Sequence, residues 1–239
     1  MQDGEILMIE DKDVLYEDNH IIIINKKSGI LSQSNGTNEP DILTLTKKYL
    51  KEKYNKPGNV YLGLVHRLDR MVSGVMVLAK TSKAASRISE QIRNKTFKKE
   101  YLCIVSGKLN KPSDKLTNYL IKDGNKKISY ITREDKGKIA ILDYEVLDYN
   151  KLNDVSLLKI KLYTGRFHQI RCQLSNINHP IIGDIKYGNI KYKNRVLLHS
   201  YKITFLHPIK KNKITFTSII DKNILCDFGI EYRGEWSDE

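Results

Sequence analysis

The chain has 239 residues, enough to bury a good core as one large or two small domains, and its 41 Lys and Arg against 28 Asp and Glu leave a net charge of +13. That surplus points to a polyanionic partner, nucleic acid first, and the scattered Cys103, Cys172 and Cys226 exclude a disulfide framework. The six histidines share no paired ligand spacing, so no metal and no other cofactor is expected, and no apolar run is long enough to span a membrane.

The charge is unevenly placed. Residues 1–18 hold seven acids and one base, residues 221–239 six acids and two bases, so residues 19–220 carry 38 bases against 15 acids, a net +23. The expected organisation is an acidic N-terminal segment 1–18, a basic central domain 19–220 and an acidic C-terminal tail 221–239. With no signal-peptide pattern at the N-terminus, a cytoplasmic monomer that avoids membranes is expected.

In chain order, Ile21 to Ile24 reads as a buried strand, followed by a Ser28-Gly29 turn. Asp41 can cap a helix to about Tyr54, with Ile42, Leu45 and Tyr49 on its apolar face and Pro57-Gly58 beyond its end. Tyr61 to Val65 and Val75 to Ala79 are apolar runs that read as interior strands. Thr81 or Ser82 can cap a second helix to about Asn94, its apolar face Ala84, Ile88 and Ile92. Phe97 to Val105 reads as strand, and 108–137, rich in Lys, Asp, Asn and Gly, as a mobile insertion. Residues 138–149 and 154–163 read as a hairpin, with Ile139, Ile141, Tyr144, Val146 and Leu147 set against Val155, Leu157, Leu158, Ile160 and Leu162. A short helix, His168 to Asn176, is expected to open at Thr164-Gly165, and the remainder returns to strand. This order argues for an α+β fold with a mixed, mainly antiparallel sheet.

Two segments are dense in chemistry. His66-Arg67-Leu68-Asp69-Arg70-Met71-Val72-Ser73-Gly74 sets a carboxylate between two arginines on a connection anchored at both ends in the core. An isolated Asp-Arg neighbour commonly does no more than order a turn. The second segment, Tyr163-Thr164-Gly165-Arg166-Phe167-His168-Gln169-Ile170-Arg171, continues through Asn178-His179-Pro180-Ile181-Ile182-Gly183-Asp184 and Tyr187-Gly188.

Together these resemble the RluA-type pseudouridine synthases, marked by His-Arg-Leu-Asp with Ser-Gly, and by Gly-Arg-x-His-Gln-Ile-Arg with His-Pro-Ile and Gly-Asp. The likeness runs from about Val14 to Pro208 and takes in the Asp18 to Lys26 strand, Phe97 to Val105, and Leu197-Leu198-His199-Ser200. It implies a pseudouridine synthase fold with flanking helices and a central catalytic cleft, acting on ribosomal or transfer RNA. Such relatives often carry a small RNA-binding module ahead of the catalytic domain, for which the acidic start here leaves no room. Lys27 stands where a Pro is common, and Val72 and Phe167 where Thr is frequent, which bears on substrate preference more than on activity.

The reaction detaches uracil from the ribose C1′, turns it and rejoins it through C5, with no redox change. Asp69 can attack C1′ or assist loss of the base by taking a ribose proton; the sequence leaves both open. An ionised Asp needs a fixed cation, and Arg171 is the candidate, because guanidinium stays charged and grips a carboxylate in a fork. By resemblance Tyr101 stacks on the target uracil and Leu198 lines the other side. The target must be swung out of its stack at a cost of a few kcal/mol. Arg67 is placed to hold that opening or a neighbouring phosphate, and His66 to shape the loop. Arg166, His168, Lys26 and the group Lys191, Lys193 and Arg195 are candidate phosphate contacts. A glycosidase would need a partner carboxylate that is not evident near Asp69. The stronger rival is a non-catalytic RNA-binding or ribosome-assembly protein, disfavoured because simple binding needs no carboxylate facing a polyanion.

Overall fold

The computed structural model describes residues 8–231, and these fall into two compact units. The first comprises residues up to Lys98 together with Lys202–Ser218, the second Lys99–Tyr201 together with residues from Ile219 onward.

In the first unit, strand β1 (Val14–Glu17) pairs antiparallel with β2 (Ile21–Lys26), and β2 with β4 (Ser73–Ala79). All seven residues of β4 are buried, as a continuous apolar run requires. β3 shrinks to Gly63–Leu64, paired with the end of β4. The longer strand expected from Tyr61 to Val65 does not form, and Tyr61 is half exposed at 51 %. Helix α1 (Ile42–Lys53) starts where the cap predicts, the Asp41 carboxylate accepting the Thr44 N–H at 2.9 Å. Its buried face is Ile42, Thr46 and Leu50, rotated from the expected Ile42, Leu45 and Tyr49. Thr46 is tolerated inside because its hydroxyl donates to the Ile42 carbonyl at 2.6 Å. Helix α2 (Ser82–Arg93) is capped by Thr81 and packs Ala84, Ile88 and Ile92 against Ile21, Ile23, Val75 and Val77, as its periodicity indicates.

The second unit is built on an antiparallel sheet. β5 (Lys98–Ser106) pairs with β9 (Val155–Leu162), β9 with β8 (Lys138–Asn150), β8 with β6 (Ser113–Asp123), and β6 with β7 (Ile128–Thr132). Residues 108–137 are therefore a β-hairpin added to the sheet, not a mobile insertion. Its charged composition misleads because one face of β6 is wet, whereas Leu120 of the other joins Ala140 and Cys172 in a small core. The 138–163 hairpin forms with the expected turn, but its buried face on β8 is Ala140, Leu142 and Tyr144, while Ile139 is exposed. Helix α3 (Gln169–Asn176) starts without a side-chain cap, its first neighbour His168 lying in the left-handed region at φ 52°. Thr164 does not open the helix: its hydroxyl accepts the Ile141 N–H at 2.8 Å and contacts Gln169 Oε1.

Helix α4 (Ile185–Gly188) is a single turn, and strand β10 (Leu198–Leu206) gives its first four residues to the second unit and its last five to the first. Those five pair antiparallel with β11 (Lys213–Thr217). Within the C-terminal tail, α5 (Lys222–Asp227) buries Ile224 and Leu225, and Trp236 lies outside the described residues. The fold is thus α+β with a mainly antiparallel sheet and flanking helices. Among the described residues, no helix is long and apolar enough to cross a membrane.

Candidate active site

Asp69 lies half-buried in the connection from β3 to β4, and the backbone of that connection is held residue by residue. Ser32 Oγ donates to the Leu68 carbonyl at 2.6 Å and accepts the Leu68 N–H at 3.0 Å. The Arg70 carbonyl accepts from Gly29 N at 2.9 Å and from Lys26 Nζ at 3.1 Å. Ser28 Oγ donates to the Met71 carbonyl at 2.7 Å, and Val72 N–H to the Asp69 carbonyl at 3.0 Å. The sequence dictates this arrangement through the Ser28-Gly29 turn: Gly29, at φ +92°, turns the chain after β2 so that residues 26–32 run under the loop. His66 Nε2 accepts the Val77 N–H of β4 at 3.1 Å.

Lys26 is the correction here. It is wholly buried, and its ammonium donates to the carbonyls of Lys27, Ile30 and Arg70, so it is not presented to a phosphate as a surface lysine would be. Burial pulls its pKa down to about 7, opposed by the negative charge of Asp69. Within this unit Lys26 is thus a cation whose charge acts on Asp69. Arg70, expected to flank Asp69, turns to an ion pair with Glu39, and Arg67 is exposed.

In the second unit Tyr101 sits on β5, 6 % exposed and opposite Ile160 of β9. Leu198 opens β10 and is buried; the adjoining Leu197 carbonyl accepts the Ile104 N–H at 3.1 Å, and Leu197 N–H reaches the Ile182 carbonyl at 2.9 Å. Arg171, on α3, is gripped by Asp184 in a buried fork, Nε to Oδ2 at 2.6 Å and Nη2 to Oδ1 at 2.8 Å, which takes two of its five N–H groups. The guanidinium also lies 5.2 Å from the Tyr187 ring centre. Asp184 is fixed in turn by Gly183: at φ +83°, a Cβ on this glycine would lie 1.9 Å from the Arg195 carbonyl oxygen. Asp184 and Tyr187 thus hold Arg171, a role sequence reasoning missed although both stand in the second motif. A buried guanidinium that must find a carboxylate was the available signal.

The phosphate contacts expected nearby take other roles. His168 is stacked on Phe167 with ring centres 3.8 Å apart, and its Nδ1 lies 3.0 Å from Tyr187 Oη. Burial, then the charges of Arg171 and Lys186, lower its pKa to about 3, so it is neutral at neutral pH and brings no charge to a phosphate. The network agrees: Ser129 N–H donates to Tyr187 Oη at 2.6 Å, which leaves the tyrosine proton for His168 Nδ1. Arg166 Nε donates to the Ile139 carbonyl at 2.9 Å, and Lys193 pairs with Asp227 at 2.5 Å.

In the first unit the Asp69 loop is pinned at its carbonyls, and in the second Arg171 is fixed in a buried fork. A family model described as RNA pseudouridylate synthase matches residues 20–176, and the chain belongs to that family. It is 38 % identical over 219 residues to ribosomal large subunit pseudouridine synthase C of Buchnera aphidicola subsp. Baizongia pistaciae, covering 87 % of this chain and 67 % of that protein. It is 32 % identical over 210 residues to dual-specificity RNA pseudouridine synthase RluA of Haemophilus ducreyi, covering 85 % and 91 %. Among solved structures, human RNA pseudouridylate synthase domain containing 4 superposes with a TM-score of 0.75 over 90 % of each chain at 20 % identity, a likeness of fold. Enzymes of this family are isomerases, and RNA is the substrate class.

Proposed function

We propose that the chain isomerises a uridine of large-subunit ribosomal RNA in the cytoplasm, acting as a monomer, with Asp69 as the group that acts at the ribose. The names of the relatives support the substrate, and the pinning of the Asp69 loop carries the role. Holding every carbonyl from Leu68 to Met71 fixes a reacting group before substrate arrives, which is how a static site lowers a barrier. A loop that served only as a turn would need no such hold.

In this reading the uridine swings out of its stack, Tyr101 supports the uracil, Leu198 lines its other side, and Arg171 keeps the reacting carboxylate ionised. Arg67 steadies the opening in the RNA. Asp69 attacks C1′ as the N1–C1′ bond breaks, or takes a ribose proton as it breaks and returns it afterwards; the base turns, C5 bonds to C1′ with release of any ester to Asp69, and the C5 proton leaves to the same carboxylate or to water while N1 gains a proton.

Asp69→Asn should lower pseudouridine formation about 10⁴-fold or more, while RNA affinity and melting temperature stay near wild type. Mapping carbodiimide-reactive uridines in RNA from cells with and without the gene identifies the site. Identical maps in every RNA class would refute the enzymatic reading in favour of a non-catalytic RNA-binding role.

A further inference from the structure

The register of the second unit places cross-strand neighbours on common faces of its sheet. One row reads Glu100, Lys161, Asp143, Lys115, charged throughout. The row beside it, on the opposite face, reads Lys99, Leu162, Leu142, Leu116. Lys99 is thus a cation at the head of a leucine row, at a position where the alternation of β5 calls for an apolar side chain. It is half-buried, and among the described residues no hydrogen bond or ion pair to its ammonium is found. Burial lowers its pKa, with no carboxylate acting against that. Its stem lies along the leucine row while its ammonium has no acceptor among the described residues, which leaves that group open to an acceptor from outside.

Two placements say what it waits for. Lys99 and Tyr101 are two residues apart on β5 and share a face, about 7 Å apart along the strand. Its Nζ also lies 3.6 Å from where a Cβ on Gly165 would stand, so the glycine of the Gly-Arg-x-His-Gln segment is the neighbour of the charge. We propose that Lys99 is a substrate-binding residue whose ammonium takes a phosphodiester oxygen of the RNA next to the target nucleotide. The inference rests on the reading of Tyr101 as the support for the uracil, since that is what brings the RNA backbone along this face. The anion supplies the acceptor that the protein withholds, and Gly165 leaves room for it.

The test uses the whole chain and an unmodified transcript of large-subunit ribosomal RNA. Lys99→Met should weaken binding and raise KM about tenfold or more, the size of one charge-assisted hydrogen bond, and change kcat less. The slope of log affinity against log salt should fall by about 0.7, one phosphate contact to an unpaired strand. Lys99→Arg should recover most of both. Melting temperature should hold or rise in Lys99→Met, because methionine suits the leucine row, and Lys115→Met on the opposite face should leave KM and salt slope unchanged. Wild-type affinity and salt slope in Lys99→Met, or a lower melting temperature with binding intact, would overturn the proposal. Binding does not depend on turnover: an active Asp69→Asn enzyme would sink the catalytic reading and leave the Lys99 result to stand or fall by itself.

Discussion

Asp184→Asn tests whether the carboxylate that grips Arg171 is as central as its burial indicates. The substitution keeps volume and leaves Oδ1 able to accept from Arg171 Nη2 and from Lys186 N–H, at 2.8 and 3.1 Å in the native chain. It also sets an amide NH₂ against Nε–H, where an oxygen now accepts at 2.6 Å, and strips the buried guanidinium of its countercharge. Removing one partner of a buried pair costs about 3–5 kcal/mol, because the remaining charge stays desolvated. At about 2–4 °C per kcal/mol for a chain of this size, the melting temperature should fall by about 10 °C. Scanning calorimetry at neutral pH measures it. The double variant Arg171→Met with Asp184→Leu should regain most of the loss, since an apolar pair of similar volume replaces a buried ion pair at little cost. A melting temperature for Asp184→Asn within about 2 °C of wild type would refute this account of how Arg171 is held.

Two further outcomes follow from the same region. Gly183→Ala should abolish stable folding or displace Asp184, because the new Cβ would meet the Arg195 carbonyl at 1.9 Å in a left-handed backbone; soluble expression and circular dichroism check this, and a native-like melt would contradict it. His168 has its folded pKa lowered to about 3, so the unfolded chain binds its proton first as pH falls. Its contribution is complete above about pH 6.5 and is lost as pH falls towards 3, on the order of 5 kcal/mol at most. Urea titrations should show wild type losing more stability than His168→Gln across that window, and parallel curves would count against a buried neutral imidazole.

Local signals carried the helices well. Asp41 and Thr81 cap α1 and α2 as their side chains suggest, because an N-cap is decided within four residues. Faces were harder to read: Thr46 inside α1 and Ile139 outside β8 reverse what hydropathy alone indicates, since an i−4 carbonyl satisfies the one and the sheet pleat points the other outward. The hairpin of β6 and β7 escaped because a strand wet on one face reads like a charged loop. Asp69, Tyr101 and Arg171 stand out in the sequence through the motifs that carry them, and their roles are the proposal made above. What the sequence concealed is everything that holds them. Lys26, Ser28 and Ser32 lie about 40 residues before the loop they brace, and Asp184 is 13 residues beyond the arginine it grips, distances only a fold can close.

The alternating row Glu100, Lys161, Asp143 and Lys115 has an implication for encounter with RNA. Neighbouring plus and minus signs a strand apart cancel within a short range, so from a Debye length away that row of the sheet is close to electrically silent. A strand of nucleic acid approaching in solution gains little by drifting towards it. The long-range pull therefore comes from lysines outside the row.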